Sequence, residues 1–134
     1  AAWVRDGGSL SDTVVTSGGG VMVEQDGTAL GTTVSAGGSL VVSSGGSADG
    51  SVLVGGEAWV LSGGRTSGTN VSDGGTEWVA GGVAIGTTLS DGSQIVEAGG
   101  TASGTLVGSG GVLDVSDAGT AVGAAVTDGG TAAS

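Results

Sequence analysis

Aliphatic residues return along this chain at a fixed interval, and the glycine and polar residues between them return in step. Thr16 to Val34 and Ser35 to Leu53 are two copies of 19 residues that align without a gap. Further copies run over 54–71, 72–89, 90–107 and 108–126, while 1–15 complete an earlier copy and 127–134 begin another. Three of them have 18 residues, through loss of one at a glycine-rich corner, where a stacked coil best tolerates a change of length. Laid in columns, the copies share a first aliphatic position: Val4, Val23, Val42, Val60, Val79, Val96 and Val115. The second reads Val15, Val34, Leu53, Val71, Leu89, Val107 and Val126. All are aliphatic and most are β-branched, which suits a pleated, half-buried strand. Each copy is therefore expected to supply two short strands joined by glycine corners. A glycine pair about every nine residues, with no apolar face at helical spacing, excludes a helix.

Residues that recur once per turn stack on one another if each copy is one rung of a coil. The expected fold is all-β, a right-handed parallel β-helix (β-solenoid) of about seven rungs of 18–19 residues. Residues 1–134 would form a single solenoid fragment, without caps or barrel. At about 4.8 Å per rung it would be a rod on the order of 35 Å long. Its lumen is expected to hold the two aliphatic columns and small residues such as Ala29, Ala48, Ala84, Ala102 and Ala121. A hydroxyl column (Thr13, Thr32, Ser51, Thr69, Thr87, Thr105) precedes the second aliphatic column by two residues, so strand alternation turns it inward too. There the hydroxyls can bond to one another or to the backbone. A calcium-binding β-roll would need a Gly-Gly-x-Gly-x-Asp turn, and a propeller would need repeats of about 40 residues; neither pattern occurs.

Glycine makes up 33 of the 134 residues, a share that would indicate a disordered linker if it were not periodic. At a fixed period each glycine can serve a corner. Thirteen acidic residues against Arg5 and Arg65 give a net charge of −11. Phosphate contacts need clustered Lys and Arg, so this balance argues against nucleic-acid binding and favours solubility and mutual repulsion. With no cysteine, stability has to come from ladder hydrogen bonds and stacked side chains. No apolar run approaches the roughly 18 residues of a membrane-spanning helix. The chain opens inside one copy and stops inside another, which is expected of a segment of a longer protein.

Val42-Ser43-Ser44-Gly45-Gly46-Ser47 and Gly68-Thr69-Asn70-Val71-Ser72-Asp73-Gly74-Gly75-Thr76 resemble the repeats of AIDA-type self-associating autotransporter adhesins, and the resemblance extends over essentially the whole chain. It implies a β-helical passenger exported by a C-terminal β-barrel and displayed extracellularly at the bacterial outer-membrane surface, where it acts in autoaggregation, adhesion and biofilm growth. The implied partners are identical copies on neighbouring cells, or glycans of a host surface or matrix, with no nucleic acid and no membrane insertion by this segment. Several members of the family carry heptose on serines of the repeat, which implies O-glycosylation at Ser35, Ser43, Ser44, Ser62 and Ser72. Small hydroxyls also suit tight turns in their own right.

Without His, Cys, Lys or Tyr, the usual bases, nucleophiles and zinc ligands are missing, and only carboxylates and hydroxyls remain. No catalytic residue, cofactor or metal is expected. Asp6, Asp73, Asp91, Asp117 and Asp128 recur before corners, where calcium could bridge stacked carboxylates. Ala36, Ser44, Ser62 and Ala98 interrupt that column, and Asp is a favoured turn residue, so a solvated acidic corner is the preferred reading.

The column just before the first aliphatic one reads Trp3, Met22, Val41, Trp59, Trp78, Ile95 and Asp114, and contains every tryptophan of the chain. If the valines face the lumen, alternation points this column outward. Its apolar members, Trp3, Met22, Val41, Trp59, Trp78 and Ile95, would then form a self-association stripe. The opposing reading turns Trp59 and Trp78 into the core, or leaves them as a surface ladder. Ala58, Glu77 and Gln94, beside the stripe on the other face, include polar residues, which argues against full burial of that face. The inward hydroxyl column does not suit an ice-ordering ladder. An adhesive rod is the expected function, with a passive spacer or a polysaccharide-processing β-helix as alternatives.

Overall fold

The structure, a computed structural model, describes residues 2–4, 6–116, 118–127 and 129–133, and of Ala2, Trp3 and Ala133 the backbone alone. Every regular element among the described residues is a strand. One rung shows the plan: Ser39–Val42, a corner, Ser47–Asp49, a bend at Gly50 and Ser51, then Val52–Val54 and a second corner. Repetition of this rung builds three parallel sheets of eight, seven and seven strands, each strand hydrogen-bonded to its counterparts one rung away. The parallel β-solenoid expected from the repeat is the observed fold, and the strands stacked on each side agree with the expected rung number.

The expectation of two strands per copy is corrected to three. The overlooked middle strand turns a small residue inward, Ala29, Ala48, Ala84 or Ala102, all buried. Alanine has no β-branch to announce a strand, so the middle side reads as part of a loop.

Pairing follows the sequence columns residue for residue. Val4, Val23, Val42, Val60, Val79, Val96 and Val115 are successive partners in the first sheet. Val15, Val34, Leu53, Val71, Leu89, Val107 and Val126 are partners in the third. Both columns line the lumen and are almost completely buried as far as Val96 and Val107; Val115 is half-buried and Val126 is exposed on the last full rung. Burial of each Val or Leu contributes about 1.5–3 kcal/mol, which is how so glycine-rich a chain holds a fold.

The corners explain the glycines. Gly63 has φ +83°, a left-handed conformation open to glycine at no steric cost, and a Cβ on Gly64 would run into the Val42 carbonyl of the rung below. Several non-glycine corner residues, Gln25, Asp26, Ser44, Asp73 and Asp91 among them, also take positive φ. The shortened copies lose their residue at corners, and two isolated bridges, Ser35 to Gly55 and Leu61 to Gly81, mark tightened ones.

Candidate functional site

The first sheet has two unlike faces, because alternation sends neighbouring columns in opposite directions. Met22, Val41, Trp59, Trp78 and Ile95 stand on the outside, half-buried among themselves, between fully buried inward neighbours. Trp3 pairs with Met22 in register, and its side chain lies outside the described residues. The indoles of Trp59 and Trp78 stack with centroids 4.9 Å apart and planes 6° from parallel. That separation equals the rung spacing of about 4.8 Å, so the ladder repeat itself places one ring on the next. Leu61 and Ala80 pair beside the two indoles on the same face and widen the apolar strip there. Glu57 and Glu97 occupy outward positions at opposite edges of this face, and Asp114 follows Ile95 in the column.

The serines of interest fall on the two corners that flank this sheet. Ser43, Ser44 and Ser62 lie on the corner after the first sheet, and Ser35 and Ser72 end third-sheet strands at the corner before it. Ser44 and Ser62 are exposed and stack through a bond from the Ser44 amide to the Ser62 carbonyl. Ser35, Ser43 and Ser72 are half-buried, and the Ser72 hydroxyl donates to the Leu53 carbonyl at 3.4 Å. The acidic column divides between the same two corners: Asp6 sits after the first sheet, whereas Asp73 and Asp91 sit before it. Asp117, Asp128 and Arg5 lie outside the described residues.

The inward face holds a constellation that column reading placed wrongly. Val21, Leu40, Ala58, Glu77, Gln94 and Leu113 form a further luminal column, and Glu77 and Gln94 in it are completely buried. The expectation that these polar residues keep their face partly open is therefore corrected. They are tolerated because each is hydrogen-bonded. The Glu77 carboxyl accepts from Thr66 Oγ1 at 3.0 Å, Thr87 Oγ1 at 2.9 Å and Gln94 Nε2 at 2.7 Å. Gln94 Nε2 also donates to Thr87 Oγ1 at 3.1 Å, and Gln94 Oε1 accepts from Thr105 at 2.8 Å. Burial raises the Glu77 pKa above its ordinary value, against the opposing pull of Thr87, Gln94 and Thr66, with Thr69 contributing from outside hydrogen-bond geometry. The hydroxyl column does face inward, yet Thr32 Oγ1, Ser51 Oγ and Thr69 Oγ1 are buried without a partner. The bonding expected along the whole column is confined among the described residues to Thr87 and Thr105.

The family described as "Adhesin of bacterial autotransporter system, probable stalk" (AIDA) matches residues 78–130. No curated protein matches the chain. The crystal structure of a TibC-catalysed, hyper-glycosylated TibA fragment superimposes with a TM-score of 0.87 and 37% identity over 97% of this chain. This segment is similar to the passengers of AIDA-type autotransporter adhesins. It spans about half of that TibA fragment, 52%. The likeness to adhesin stalks implies display outside the cell and points to a non-enzymatic role. The columns that define the rod were legible from spacing alone, whereas the luminal network was not. Its signal was present: Glu77 and Gln94 share a column with Val21, Leu40 and Leu113, two residues before an unbroken valine column.

Proposed function

We propose that this segment is the rod of an adhesin anchored at the bacterial outer membrane, and that identical rods associate side by side through the outer face of the first sheet. The observation that carries the reading is the stacked pair Trp59 and Trp78, flanked by Leu61 and Ala80. Each indole covers one face of the other, and the Trp78 Nε1 is buried, which leaves less ring face for a sugar to lie flat on and favours an apolar face of a second rod. Glu57, Glu97 and the net charge of −11 oppose the approach of an identical rod, so association strengthens as salt screens them. Exposed Ser44 and Ser62 are the preferred O-glycosylation positions of the five serines, since sugar there frames the face without covering it.

Cells displaying the chain are expected to clump, more so at higher salt, and W59S together with W78S is expected to abolish clumping while leaving the β-sheet circular dichroism unchanged. Iodide should quench the tryptophans of the free monomer and lose access to them on association. Displayed wild-type rods that stay dispersed at every salt concentration would support a passive spacer. Clumping that survives both substitutions, or that free sugars inhibit, would move the contact elsewhere. For the serines, intact mass after co-expression with TibC should show sugar increments that fall in the S44A/S62A variant.

A further inference from the structure

Glu77 is a completely buried carboxyl that faces no cation. Among the described residues, none of the strands around it turns another titratable group into the lumen. Glu57, Arg65 and Glu97 stand on outer faces of their strands, and Asp73 and Asp91 are exposed at corners. The groups that meet it are hydroxyls and an amide drawn from three consecutive rungs: Thr66 from below, Thr87 from its own rung, Gln94 from above, with Thr105 behind Gln94. Three neutral donors satisfy the lone pairs of a carboxylate but do not neutralise it, and an unpaired charge in a dry interior is strongly disfavoured.

We infer that Glu77 is held in the lumen as the neutral acid, and that Glu77, Gln94, Thr66, Thr87 and Thr105 form a proton-dependent clamp that fixes the register of three rungs. The proton belongs on Oε2. Oε1 already accepts from both Thr87 and Gln94, whereas Oε2 has one hydrogen bond, from Thr66 Oγ1, a hydroxyl that can reverse to accept. Ionisation leaves the hydrogen bonds geometrically available but puts an uncompensated charge at the centre of the stack. The clamp is therefore tight in acid and loosens as the pH rises.

The sign follows from linkage. The unfolded chain binds this proton with the ordinary glutamate pKa of 4.5, and burial raises the folded value, so above 4.5 the folded state holds more proton than the unfolded state. Stability then falls with rising pH from about the ordinary value until the raised folded value is passed, and levels off beyond it. The test is urea denaturation of the 134-residue chain and of its E77Q variant across pH 4 to 9, with infrared spectra of both at pH 6. The expected result is a wild-type midpoint that drops through this window, and an E77Q midpoint that declines less and stands above the wild type at the alkaline end. The carbonyl stretch of a protonated acid should be present in the wild type and absent from E77Q. Parallel pH profiles for the two proteins, or an infrared spectrum at pH 6 without the protonated-acid band, would overturn the inference. If E77Q fails to fold, the infrared band of the wild type alone decides.

Discussion

The lumen changes character along the rod although its backbone does not. Around Leu40 it is lined by Ala29, Val42, Leu53 and Ala58, with Thr32 and Ser51 contributing hydroxyls that bond to nothing. Two rungs on, the same column carries Glu77 and then Gln94, the Ala29 position is taken by Thr66, and the hydroxyls of Thr87 and Thr105 are bonded while that of Thr69 is not. The polar residues of the second region are placed as a set. A solenoid lumen admits a carboxyl where the residues one rung below, in its own rung and one rung above all supply donors, because the alternative is a buried unpaired group at about 1–3 kcal/mol or more.

The strongest way to break that comparison is to move the carboxyl without its set. Leu40→Glu places a carboxyl at the equivalent site, where Thr32 and Ser51 offer hydroxyls but Ala29 and Ala58 stand in place of Thr66 and Gln94. A loss of about 3–5 kcal/mol at neutral pH is expected in urea denaturation, shrinking in acid as the carboxyl takes up a proton. If Leu40→Glu is tolerated at neutral pH, the network around Glu77 is not what makes its burial possible. Next in size is the removal of one member of the set. Gln94→Leu takes a donor from Glu77 and an acceptor from Thr105, with an expected loss of about 2–3 kcal/mol. The double variant Glu77→Leu with Gln94→Leu restores the aliphatic column seen at Leu40 and Leu113, and should recover most of that loss. Additive losses in this cycle would show that packing, and not hydrogen bonding, holds the two residues.

The same contrast explains what could be read from the residues alone. A column is legible when one demand acts on every rung, as it does on the valines from Val4 to Val115 and on the close approach at Gly64. The outward direction of Trp59 and Trp78 followed from that column by alternation, but their stacking is a contact between side chains 19 residues apart and needed the register to be seen. Middle strands such as Ser47–Asp49 escape notice because their inward position is usually alanine, which carries no strand preference. The Glu77 network was missed for a different reason. Its members belong to three columns and to three rungs, so each looks like an isolated polar substitution until the three sides are folded onto one another.

The smallest effect expected is also the one that separates hydroxyls of the two regions most directly. Thr32 and Thr87 occupy the same column and are equally buried, but only Thr87 has partners. Replacing a threonine by valine exchanges a hydroxyl for a methyl group in nearly the same space, so the sign of the change reports whether the hydroxyl was bonded. Thr87→Val should destabilise by about 1–2 kcal/mol, since it removes a donor from Glu77 and an acceptor from Gln94. Thr32→Val should be neutral or stabilising by up to about 1 kcal/mol, because desolvation of an unbonded hydroxyl is relieved and nothing is lost. Equal losses at both positions, measured by urea denaturation at one pH, would mean that the column serves packing throughout and that the two regions of the lumen differ in appearance only.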